Sequence, residues 1–183
     1  MTSKVLADST ARARIEAAAD TIDLGAWLFS LPEDEYQQCA PGDHIAAGAT
    51  LAADGRPMSI NVEQVGTSLI VQHYVGETVG AHRCELVSPS SDVFSFKPQG
   101  RTTVHVTWEL SVTPESEDTS VFENHVLVTA TEEFEQFLEE NSIPFEQAAA
   151  ARQTAVTRHN ELETPGFAAS IGRTARKAAR EAN

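Results

Sequence analysis

The sequence predicts an α+β fold: a curved antiparallel sheet of about six to seven strands wrapped around a long C-terminal helix, with two short helices after strand 1. Three features carry that expectation. A strand-like segment opens the chain, alternating segments joined by short turns fill its middle, and the pattern turns helical after residue 130. A chain of 183 residues suits a single domain, 1–183, whose last residues, 173–183, form a basic tail. It can bury a sizeable core without disulfide staples.

The elements follow in order. "TARARIEA" alternates and reads as the first strand. "DTIDLGAWLFSL" places Ile22, Trp27 and Leu28 loosely at helical spacing, with Asp20 assigned as N-cap. Pro32 opens "PEDEYQQCA", where early carboxylates suit the helix dipole. "HIAAGATLAADGRPMSINVEQVG" carries turn chemistry at Asp54-Gly55 and reads as a hairpin. "TSLIVQHYVGE" and "GAHRCELVSP" give two more strands, and "DVFSFKP" reads as a short strand or part of a loop.

"RTTVHVTWELSVTP" alternates most clearly. Val104, Val106, Trp108, Leu110 and Val112 share one face, which is assigned to the core. "SVFENHVLVTA" completes the strands, and short turns throughout call for antiparallel pairing. Two helical segments, 131–140 and 143–163, are split by Pro144. The second carries a stripe of Phe145, Ala148, Ala149, Arg152, Val156, His159 and Leu162. Pro165-Gly166 is expected to stop it.

The formal net charge is −14, from 27 acidic and 13 basic residues, which disfavours a nucleic-acid partner. No Lys or Arg occurs between Arg101 and Arg152, while Arg173, Arg176, Lys177 and Arg180 crowd the tail. The tail reads as a frayed helical end, or as a segment docking on its own acidic surface or on a second copy in a homodimer. No run approaches the length of a membrane span, and "MTSKVLADST" lacks the apolar core of a signal peptide. Cys39 and Cys84 have no metal-type spacing and read as reduced thiols, hence a cytoplasmic protein.

This element order resembles the START-like, or SRPBCC, helix-grip superfamily, as does the ending "RHNELETPGFAASI". The resemblance covers nearly the whole chain. It implies a deep, mostly apolar cavity between the sheet and the long helix, holding a lipid, a polyketide or another hydrophobic molecule. Some superfamily members, the polyketide cyclases, also catalyse reactions there.

Alternation then places side chains around such a cavity. With the Val104/Val106/Trp108 face inward, Met58, Ile60 and Val62 are expected inside, and Ser59, Asn61 and Glu63 outside. "SLIVQHYV" offers either Leu69, Val71, His73 and Val75 or Ile70 and Tyr74. His82, Cys84 and Leu86 share a face, as do Phe122, Asn124, Val126 and Val128. The candidate ligand-binding set is His73, His82, Cys84, Trp108, Phe122, Asn124, Arg152, Val156 and His159. A histidine on an apolar strand face is more often a satisfied core residue than a ligand anchor. Arg152 is either a snorkelling side chain or the partner of a ligand carboxylate.

His159 and Glu163 stand four apart on the helix. As metal ligands they would need a third group, so no metal and no cofactor is expected. His159 is expected to cap carbonyls near the break at Pro165. No phosphate loop, nucleophile elbow, HExxH or paired CxxC occurs. Three functions remain in play: binding of a small hydrophobic molecule, an aromatase/cyclase-type enzyme using His73, His82 or Arg152, and an interaction subunit with no small ligand.

Overall fold

The computed structural model describes residues 4–181. The first three residues of the leader reading and the last two of the basic tail lie outside that range. The strands are β1 (Val5–Ile15), β2 (His44–Leu51), β3 (Pro57–Val65), β4 (Ser68–Val79), β5 (Arg83–Phe96), β6 (Gln99–Pro114) and β7 (Ser120–Ala130). They form one sheet, ordered β1-β7-β6-β5-β4-β3-β2 and antiparallel throughout. Helices α1 (Leu24–Ser30) and α2 (Glu33–Cys39) follow β1, and α3 (Glu132–Glu140) and α4 (Phe145–Glu181) follow β7. This is the predicted α+β arrangement, at the upper strand count.

Local chemistry explains most boundaries. Gly55 sits at φ +86° in the β2–β3 turn, where a side chain would be strained. Asp23, not Asp20, caps α1: its carboxylate accepts from the Ala26 amide, while Asp20 lies in a 3-10 turn at Ala19–Thr21. Thr131 caps α3 in the same way. "DVFSFKP" is neither a separate strand nor a loop. It is the second half of β5, which continues past Pro89 through a register shift between Ser88 and Ser91. The Ser88 hydroxyl accepts from the His73 amide at 3.0 Å, restoring a ladder bond lost at the bulge.

The larger correction concerns α4. It runs through Pro165-Gly166 without stopping and is 37 residues long. Pro165 is on the exposed face, where the carbonyl it frees can bond water. Gly166 faces α2: a Cβ there would lie 2.5 Å from Cys39 Cα, so the glycine permits close helix approach. Leu162, expected on the covering stripe, is 39% exposed. The buried stripe instead passes through Val156, His159, Asn160, Glu163, Phe167, Ile171 and Ala175. Phe167 is fully buried, edge-on to Trp27 and beside Tyr36, His44 and Trp108. Beyond it, Arg173 pairs with Glu35 and Arg176 donates to the carbonyl of Glu16.

The core face of β6 is as predicted: Val104, Val106, Trp108, Leu110 and Val112 are all buried. On β3 the assignment is reversed. Ser59, Asn61, Glu63 and Val65 are buried, and Met58, Ile60 and Val62 are half-buried on the outer face. Pairing carries the same choice to β4, because Glu63 lies opposite Ile70, Asn61 opposite Gln72 and Ser59 opposite Tyr74. Ile70, Gln72 and Tyr74 therefore point inward. No helix among the described residues is long and apolar enough to cross a membrane.

Candidate functional site

Helix α4 packs closely on β1 and β7, and the sheet curves away from it toward β3–β6. Two neighbouring hollows lie in that gap. The outer one, with a volume of about 300 Å³, is lined by Val65, Val93, Phe134, Phe137, Ile143 and Ala155, among others. Small side chains of α4 make this room: Ala148, Ala151 and Ala155 form its helical wall. The inner hollow, about 40 Å³, reaches Tyr74, Val106, Trp108 and Val156. That is room for a few waters or one small substituent. The expectation of a mostly apolar cavity holds for both hollows, but its depth is corrected: the spacious part is outer, and the deep end is small, with a polar cluster in its wall.

Val65 and Arg152 line both hollows and form their common border. Arg152 makes no hydrogen bond or ion pair among the described residues. Burial lowers its affinity for its proton, with no nearby carboxylate to compensate.

At the inner end stands a cluster of four side chains from three parts of the chain. Glu63 comes from β3, His44 from the start of β2, and His159 and Glu163 from α4. All four side chains are buried. The His44 Nδ1 lies 2.7 Å from the Tyr36 carbonyl, which can only accept, and its Nε2 lies 3.0 Å from the Glu163 carboxylate. His159 Nδ1 is 3.1 Å from Asp43, and its Nε2 is 3.4 Å and 3.5 Å from Glu163 and Glu63. The Tyr36 hydroxyl donates to Glu63 at 2.6 Å, and its ring stacks on His44 at 3.8 Å. Gln72 also donates to Glu63, and Asn124 donates to Glu163 while accepting from the Trp108 indole.

Opposing effects set the charges. Burial alone would push the His159 ring down, but Glu163 and Glu63 outweigh it and raise it well above the usual range. His44 is likewise raised, by Glu163 against burial. Burial would raise both glutamates, yet His159 holds each below the ordinary carboxylate range. Tyr36 and Tyr74 are raised, by burial first and Glu63 next, and so stay neutral, Tyr36 as the donor to Glu63.

The sequence-assigned site residues divide sharply. Trp108, Arg152, Val156 and His159 line the inner hollow. Asn124 stands behind it, orienting Glu163. Phe122 and Cys84 are fully buried but line neither hollow. Burial also raises the Cys84 thiol, leaving it unreactive. His73 is on the outer face of β4, opposite Ile60. His82 is exposed in the β4–β5 turn, its Nε2 2.8 Å from the Ala19 carbonyl. Neither can serve chemistry in the cavity. His159 does not cap a helix end, since α4 continues past it, and it does not lack companions, since His44 and Glu63 join it and Glu163. His44, Glu63, Gln72, Tyr74 and Asn160 escaped sequence reasoning. The alternation Ser59-x-Asn61-x-Glu63 was the available signal for part of the set.

No protein-family model matches the chain, and neither does any curated protein. Solved structures do. The Zhui aromatase/cyclase from Streptomyces sp. R1128 aligns with a TM-score of 0.61 at 12% identity, covering 96% of this chain and 97% of that one. The di-domain ARO/CYC StfQ, from the steffimycin biosynthetic pathway, aligns at 0.59 and 13% identity, over 96% of this chain and 53% of that one. A conserved protein from Geobacillus kaustophilus aligns at 0.53 and 9% identity, over 93% and 96%. With the sheet order and the terminal helix, these likenesses show that the chain has the helix-grip fold of those structures. At such identities they show the fold and no more.

Proposed function

We propose that the protein binds a small hydrophobic molecule of lipid, polyketide or aromatic type, with its apolar body in the outer hollow and one anionic or strongly accepting oxygen on Arg152. The observation that carries this reading is the guanidinium itself. A half-buried cation with no partner is costly, and a ligand oxygen at the border would supply the missing bidentate acceptor. The outer hollow is at the lower end of the size range for small-molecule sites and has mainly apolar walls. Two buried free thiols suit a reducing compartment such as the cytoplasm.

The test uses two fluorescent probes of similar shape, one an anionic naphthalene sulfonate and the other a neutral naphthylamine. Both should bind the wild type at one site. Arg152→Met should keep the neutral probe and weaken the anionic one at least tenfold. Equal loss of both, or of neither, would remove Arg152 from the role.

A second reading, an aromatase/cyclase-type reaction, is favoured by one specific feature. The inner hollow is lined by Glu63 and His159, with the Tyr36 hydroxyl on Glu63, so proton acceptors and donors face the place where a substituent would reach. Turnover of a linear poly-β-ketone thioester, followed by product chromatography, should then fall steeply in Glu63→Gln and stay unchanged in His73→Ala and His82→Ala. The interaction-subunit reading loses support, because Arg173 and Arg176 are engaged within the chain.

A further inference from the structure

We propose that His44, Glu63, His159 and Glu163 form a binding site for one divalent transition-metal ion of the zinc type. Such a site requires no organic ligand in the cavity.

Geometry comes first. One donor atom from each residue can be chosen so that all four lie within 4.8 Å of one another. Three separations are 3.0, 3.4 and 3.5 Å. A tetrahedral ion with bonds of about 2.0–2.1 Å requires donors about 3.3 Å apart. The two longer contacts are poor hydrogen bonds, and the His159 Nε2, in a side chain only 7% exposed, has no hydrogen-bond partner. A buried imidazole nitrogen aimed between two carboxylates, at coordination spacing rather than hydrogen-bond spacing, has the geometry of a metal ligand.

The surroundings fit as well. Metal-bound histidines commonly donate their other ring nitrogen to a carbonyl or carboxylate, which fixes the tautomer. Here the His44 Nδ1 faces the Tyr36 carbonyl and the His159 Nδ1 faces Asp43. Both Nε2 atoms are thereby turned to the common centre. Each glutamate is oriented too, Glu63 by Tyr36 and Gln72, Glu163 by Asn124.

The exchange is balanced in charge. Without metal, each ring faces an acceptor on both nitrogens and so carries two N–H hydrogens. One M²⁺ entering replaces the two Nε2 protons, which leave to solvent. The buried group of two imidazoles and two carboxylates keeps the same total charge. Two nitrogen and two oxygen donors favour an ion such as Zn²⁺ or Co²⁺ over Mg²⁺ or Ca²⁺, which take oxygen shells. The inner hollow borders Glu63, His159 and Glu163, so it offers both an entry path and space for a water as a further ligand.

Cobalt(II) is the probe, because its visible absorption reports coordination by buried nitrogen and oxygen donors. Chelator-treated full-length protein should take up one equivalent of Co²⁺ with strong visible bands, displaced by one equivalent of Zn²⁺ and not by excess Mg²⁺. Glu63→Gln and His159→Gln should each weaken uptake at least tenfold while circular dichroism shows a retained fold. The wild-type titration decides even if a variant fails to fold. Absence of a saturable cobalt band in folded wild type would overturn the proposal. So would a band that survives unchanged in both folded variants, since it would arise from the exposed acidic residues of α3.

Discussion

Arg152 and Phe167 represent opposite ways of occupying the interior. Phe167 is fully enclosed by Trp27, Tyr36, His44 and Trp108. Its replacement by Ala should cost about 3–5 kcal/mol in denaturant unfolding, through lost burial plus an unfilled cavity. Arg152 contributes no such contact. Arg152→Met should leave unfolding stability unchanged or raised, because it removes an unpaired half-buried charge. A loss of 2 kcal/mol or more would mean that the guanidinium has a structural partner. At this scale the sequence was readable where apolar residues recur at every second position, as on β6. It misled on β3, where Met58, Ile60 and Val62 look like the core face but lie outward. Ser59 donates to Asn61 on the same inward face, and Glu63 is satisfied there by distant groups, Tyr36, Gln72 and His159. Alternation alone cannot reveal partners that arrive from 27 or 96 positions away.

Among the elements, α4 departs furthest from what its sequence suggests. Pro165-Gly166 has the composition of a helix stop, yet each residue has a separate reason to be there. Pro165 faces water and breaks one backbone bond, so Pro165→Ala should stabilise the protein by about 1–3 kcal/mol. Gly166 touches α2, and Gly166→Ala should destabilise it by about 1–3 kcal/mol, since the new methyl would meet the backbone of Cys39. Thermal melts of the two single variants should therefore shift in opposite directions. Matching shifts would contradict the continuous helix. The split of β5 at Pro89 has a similar lesson. A proline in a central strand reads as an end, but a serine hydroxyl that accepts from the His73 amide of the neighbouring strand lets the strand resume.

For the molecule as a whole, the order of elements was sufficient to predict the layered fold, because a sheet with one apolar face and a single long helix has few ways to pack. The site was less legible. Its polar end joins residues from β2, β3 and α4, and its open end depends on how far a curved sheet departs from a helix wall made of alanine. Ala151→Trp should fill the outer hollow, abolish binding of both naphthalene probes and leave the cobalt site intact, since the two regions share only the Arg152–Val65 border. Loss of both functions together would mean that the hollows do not act separately.

The central claim is that the space beneath Ala148, Ala151 and Ala155 receives a ligand. Methyl-labelled alanine NMR during titration with the neutral naphthylamine tests it most directly. The prediction is saturable shifts at those three methyls, with Ala7, Ala168 and Ala175 of the closed core unmoved. Shifts scattered over the surface, or none at all, would contradict it.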